Sequence, residues 1–232
     1  MIGTIVNTAC IVVGSVIGSL LKRGIKPHYQ HALYNAMGLC AVALGMNAAL
    51  RYMPDSKYPV LFIVSMALGA LIGFILDLSG RFNRLVDHLG GKKNNKQASH
   101  LGQGLSTGIL LFCIGPLSML GPVMSALHGD NTYLFTNATL DIVASMVLAS
   151  TYGIGMIWAA PVLFLWQGSF YLVAYLSASA ISQELITELS IVGGILITSS
   201  GLAILGIKDC KTINLLPALL LPILFFAIKS LF

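Results

Sequence analysis

From Ile142 to Gln183 the chain reads IVASMVLASTYGIGMIWAAPVLFLWQGSFYLVAYLSASAISQ, 42 residues without a charge. A bilayer core about 30 Å thick needs roughly 20 apolar residues of helix at 1.5 Å per residue. This run is therefore long enough to cross a membrane twice, with Gly153 as the dividing point. Working outward between charges, the same reading gives Ile2 to Leu21, Ala32 to Leu50, Pro59 to Leu76, Leu101 to Leu127, Tyr133 to Tyr152, Ile154 to Ala178, Leu189 to Ile207 and Thr212 to Ile228. The expected fold is all-α, a polytopic transmembrane helix bundle of about eight spans whose first partner is the lipid bilayer.

Composition agrees. With 56% hydrophobic and 9% charged residues, a water-soluble chain of 232 residues would lack the polar surface to cover itself. The net charge of +5 is scattered over short loops and no segment between spans is long enough to fold in water, which excludes a nucleic-acid partner. The first apolar stretch begins at Met1, has no basic segment before it and runs to Lys22 and Arg23, so it reads as a first span rather than a cleaved signal. Cys10, Cys40, Cys113 and Cys210 lack metal or redox spacing, and the five histidines lie at or beyond span ends. No metal and no cofactor are expected.

Placement of the 13 cations sets the orientation. With the N-terminus outside and eight spans, the inner loops collect Lys22, Arg23, Lys26, Arg81, Arg84, Lys92, Lys93, Lys96, Lys208 and Lys211, leaving Arg51, Lys57 and Lys229 outside. That satisfies the positive-inside rule for a bacterial cytoplasmic (inner) membrane. A re-entrant fourth stretch would leave seven spans and a weaker bias, nine cations to four.

One integral membrane domain covers 1–232, with three spans in 1–80, a basic cytoplasmic loop at 81–103 and five spans in 104–232. Two internal echoes run through it. Gly14 and Gly18 in span one resemble Gly69 and Gly73 in span three, and Gly38 with Gly45 in span two repeats the seven-residue gap of Gly194 with Gly201 in span seven. An inverted repeat relating spans 1–3 to spans 6–8 would account for the second echo and is a common transporter architecture. Packing accounts for both, since small residues four or seven apart let membrane helices approach closely.

Chemistry concentrates in two places. In LFCIGPLSMLGP, residues 111–122, the pairs Gly115-Pro116 and Gly121-Pro122 each remove a backbone donor, and proline disfavours helix at the residue before it, so the fourth span is expected to break there. Irregular backbone at membrane depth is tolerated where protein or a water-filled cavity satisfies it. Asp141 lies well inside span five with no lysine or arginine at matching depth. A charge at the centre of a span costs about 2.5–3.5 kcal/mol on insertion scales, so the side chain should face the bundle interior and serve as proton or cation acceptor. Asn7, Asn214, Gln167 and Ser118 are the uncharged polar groups expected to line the same pathway; interhelical hydrogen bonding is the competing role for each. No nucleophile elbow, Walker loop or His-Glu-x-x-His segment occurs, and no enzyme is expected.

The chain resembles the bacterial inner-membrane proteins of the YqgA/YdfK type, a family of unknown function. The resemblance runs nearly the whole length, through Ile5-Val6-Asn7 with Gly14 and Gly18, Gly69-Ala70-Leu71-Ile72-Gly73, Leu111-Phe112-Cys113 with Gly115 and Gly121, Gly129-Asp130, Leu140-Asp141, Ala149-Ser150 with Gly153-Ile154, Gln167, and Gly206-Ile207-Lys208 leading to Asn214-Leu215-Leu216-Pro217-Ala218-Leu219-Leu220. It implies no activity. The family pattern carries a glutamate where Phe74 stands, a glutamate at Ser125 and a lysine at Asn137, and the joint loss of two acids and a base concentrates the remaining charge on Asp141.

The functional expectation is a secondary transporter or channel-like protein for a small solute, proton or cation. A non-transporting scaffold that assembles partners through glycine-rich faces is the competing class, and an intramembrane enzyme the third. Homo-oligomer formation stays open at this level.

Overall fold

The computed structural model describes residues 1–21, 26–81, 84, 108–109, 111–113, 115–178 and 182–229. Among these the chain is all helical, with no strand. The helices are α1 (Ile2–Leu20), α2 (Pro27–Tyr52), α3 (Leu61–Ile75), α4 (Pro116–His128), α5 (Thr132–Tyr152), α6 (Ala159–Leu176), α7 (Gln183–Ile204), α8 (Thr212–Leu215) and α9 (Leu220–Lys229), with 3₁₀ turns at Met53–Asp55, Ile154–Trp158 and Leu216–Leu219.

Among the described residues, six segments are long and apolar enough to cross a bilayer: Ile2–Leu20, Pro27–Asp55, Thr132–Tyr152, Ile154–Leu176, Gln183–Ile204 and Thr212–Lys229. The third and fourth expected spans differ. α3 has 15 residues, about 23 Å of rise, and stops where Asp77 takes a left-handed φ of 47°. α4 has 13 residues and starts at Pro116, with helical backbone also at 111–113. Gly115 between them is extended, at φ −70° and ψ 144°, and Pro116 takes the first helical position, where a missing N–H costs nothing. The second pair behaves otherwise, since α4 runs on through Gly121 and Pro122. Gly121 has no Cβ to meet the proline ring, which removes half of the usual objection to helix before proline. The basic loop 81–103 lies outside the described residues apart from Arg81 and Arg84.

The chain divides into two compact units, and neither follows the linear order. The first is Met1–Leu33 with Phe82–Ala178, and the second is Tyr34–Arg81 with Ser179–Phe232. Within each, polarity is inverted relative to a protein in water. α1 buries Gly3, Thr4, Asn7, Ile11, Gly14, Ser15 and Gly18, a stripe at helical spacing made mostly of small and polar residues. It presents Ile2, Ile5, Val13 and Leu20 outward, the last 73% exposed. In α3 the buried positions are Ser65, Gly69 and Gly73 while Ile75 is 81% exposed. Large apolar side chains out and small ones in is the arrangement lipid favours, because tails solvate leucine as well as a core would and helices associate by close backbone packing.

In the first unit α1 runs parallel to α5. Gly3 sits against Leu134, Gly14 against Ile142 and Ser145, and Gly18 against Met146, with no room for a Cβ at any of them. In the second unit α2 runs antiparallel to α7, with Gly38 against the Gly201 carbonyl and Gly45 against that of Gly194, each contact returned by the partner glycine. α3 lies against the α8 to α9 segment, Gly69 on Ala218 and Gly73 on Asn214.

Candidate functional site

Leu134 of α5 marks a level in the first unit, since a Cβ on Gly3 of α1 or on Gly121 of α4 would strike it. α4 leads into α5 through Gly129, left-handed at φ 68°, so the two helices are antiparallel. One turn inward from Leu134 are Asn137 on α5, Asn7 on α1 and Ser118 on α4. Gln167 of α6 is tied to the same level, because its Nε2 donates to Ser118 Oγ at 3.0 Å. Asp141 follows one turn deeper, near the middle of α5. Beneath it an apolar cluster of Ile11, Phe112, Cys113, Ala144, Ala159, Ala160 and Leu163 closes the unit's interior.

All five polar residues are buried, Asn7, Ser118 and Gln167 completely and Asp141 to 5% exposure. Asp141 is held by a neutral donor, Asn137 Nδ2 to Oδ2 at 2.9 Å. The two residues are four apart on α5, one helical turn. Asn7 lies beside the Asp141 carboxyl, yet the geometry of a hydrogen bond is not met: neither its Nδ2 nor its Oδ1 has a partner. Gln167 Oε1 and Thr4 Oγ1 are likewise buried without partners. Cys113 packs in the cluster that includes Ile11 and Ala144, and it closes the helical stretch that precedes extended Gly115.

Of the residues expected to act together, Asp141, Asn7, Gln167 and Ser118 share this interior, and Gly115, Pro116, Gly121 and Pro122 belong to the same unit. Asn214 belongs to the second unit, where its Oδ1 accepts the Ser79 N–H at 2.6 Å and caps the turn that restarts the chain after Asp77. Ser125 bonds Asn131 at 2.7 Å in the first unit, and Phe74 lies under the Lys211 ammonium at 5.8 Å in the second.

One carboxyl escaped the sequence reading. Glu188 was a span boundary there; it is instead inside α7 and 1% exposed. Ser56 Oγ donates to its Oε1 at 2.5 Å, and its Oε2 has no partner. The neighbouring Glu184 receives Lys57 at 2.7 Å and Lys229 at 3.0 Å, and Lys229 also donates to the Tyr58 hydroxyl at 2.6 Å. The available signal was that Glu184 and Glu188 are one helical turn apart, so that a helix started by Ser182 carries both.

Buried polar stripes, lipid-type outer faces and six helices of spanning length define an α-helical integral membrane protein. It belongs to the family described as Protein of unknown function (DUF554), which matches residues 2–227. The chain is 58% identical over 231 residues to the uncharacterized membrane protein YdfK of Bacillus subtilis (strain 168), covering 99% of this chain and 98% of that one. It is 28% identical over 225 residues to the uncharacterized protein YqgA of Escherichia coli (strain K12), covering 95% and 94%. No solved structure matches.

Proposed function

We propose that the protein is a secondary transporter or channel-like protein for a small solute or ion in the bacterial cytoplasmic membrane, with its N-terminus outside. The observation that carries this reading is Asp141, an acid buried in mid-span, bonded to a neutral amide and beside an Asn7 amide with no partner of its own. An acid so placed is costly for a structural part, because an apolar residue would pack there without desolvation. Extended backbone at Gly115 and the proline inside α4 supply the irregularity that pathways use. The reciprocal glycine contact of α2 with α7 is what an axis relating spans two and seven would produce, and it supports an inverted repeat.

Scaffolding through glycine-rich faces is less well supported, because Gly14, Gly18, Gly38, Gly45, Gly69, Gly73, Gly194 and Gly201 are all occupied by neighbours within the chain.

Reconstitution tests the proposal. In proteoliposomes carrying an internal pH dye, an imposed Na⁺ or K⁺ gradient is expected to drive proton or ion flux that Asp141→Asn abolishes. Flux undiminished in that variant would remove Asp141 from the pathway.

A further inference from the structure

Several buried oxygens at this polar level have no partner. Gln167 uses its Nε2 on Ser118 and leaves Oε1 without a partner; Asn7 Oδ1 and Thr4 Oγ1 are in the same state. Asp141 adds the only formal charge among these groups. A set of hard oxygen acceptors around one carboxylate is the donor chemistry that alkali and alkaline-earth cations take.

We infer that this level of the first unit binds a dehydrated monovalent metal cation, with Asp141 as counter-charge and the side-chain oxygens of Asn7 and Gln167 as ligands. The inference rests on the reading of Asp141 as the acceptor of the transported or coupling species, and it names that species. Three alternatives fit worse. A proton alone would let the carboxyl donate to Asn7 Oδ1 and would still leave Gln167 Oε1 without a partner. A divalent ion would leave an uncompensated positive charge far from water. An organic ammonium needs more space than side chains at 0–5% exposure leave above the Ile11, Phe112 and Leu163 cluster. The same carboxylate cannot hold a proton and the cation together, so the two compete and their exchange is a route to coupled transport.

The test is equilibrium binding, which requires no flux. Purified protein in detergent is melted in NaCl, LiCl or KCl titrated against choline chloride at constant ionic strength, under alkaline and mildly acidic conditions. One alkali cation is expected to raise Tm saturably, with half-saturation moving to higher concentration as pH falls. Asp141→Asn should lose the response, and Asn7→Ala and Gln167→Ala should each weaken it roughly tenfold or more. A wild-type protein whose Tm follows choline and the alkali salts alike overturns the inference, whatever the variants do; so does a response retained in both Asn7→Ala and Gln167→Ala. Proton flux dependent on Asp141 without any alkali-cation response overturns the cation site and leaves the transport reading standing. Saturable cation binding at Asp141 without flux supports the site and removes the transport reading.

Discussion

At residue scale, two glycines in the first unit make opposite demands. A Cβ on Gly14 would press on the Ile142 carbonyl and the Ser145 hydroxyl, and the carbonyl belongs to a helix backbone that cannot yield. Alanine gains up to about 1 kcal/mol of helix propensity, but overpacking costs about 1–3 kcal/mol. Gly14→Ala is therefore expected to lower Tm in detergent as α1 backs away from α5. Gly115 has open space around its Cβ direction and a φ of −70° that any residue accepts, so Gly115→Ala should leave stability within about 0.5 kcal/mol of wild type and Tm nearly unmoved. Asn137 and Asp141 provide the second residue-level test. Asn137→Ala removes the carboxyl's amide donor and should cost about 1–3 kcal/mol, whereas Asn137→Leu combined with Asp141→Leu should recover much of that loss, because replacing both partners leaves no buried group unpaired. Thermal melts of both variants check the coupling.

Elements bring in what residues alone do not. The segment Ser56 to Tyr58 follows a single 3₁₀ turn and has little apolar surface of its own, so its position depends on α7. Ser56 reaches Glu188, Lys57 reaches Glu184, and Tyr58 packs on Phe225 and Phe226 while accepting from Lys229. Ser56→Ala leaves a nearly inaccessible carboxylate short of a donor and should destabilise by about 1–3 kcal/mol. Glu188→Gln keeps a carbonyl acceptor for the same hydroxyl and should cost less. The order of the two melting temperatures is the measurement. α4 shows the same dependence on surroundings in another way: identical Gly-Pro dipeptides give an N-terminus at 115–116 and an uninterrupted helix at 121–122. The second lies where α4 packs on Leu134, and that contact holds the helix together across the missing hydrogen bond.

For the whole molecule, the arrangement proposed from the charges has both ends on the outer side if there are eight spans. A C-terminal alkaline phosphatase fusion is then expected to be active and a C-terminal fluorescent-protein fusion dark. The reverse pattern would mean an odd number of spans. The three cations that the eight-span arrangement leaves outside include Lys57 and Lys229, and both are paired by Glu184, which softens their conflict with the positive-inside rule.

Uncharged length by itself determined that the chain crosses a membrane, because the bilayer sets a length any sequence must meet, and six of the eight stretches form helices that meet it. A lone aspartate in such a stretch likewise marked α5, since burial cost depends on depth along one helix. Pairing was beyond that reading, because which helix faces which is decided by complementary small residues far apart in sequence. Gly38 and Gly201 lie in the two halves of the expected repeat, and only the fold could show that they touch. The partner of Asn214 was likewise beyond the sequence, and tertiary structure supplies it as the Ser79 N–H. Glu188 precedes the expected seventh span by one residue, and only the fold could reveal that it is 1% exposed and bonded by Ser56.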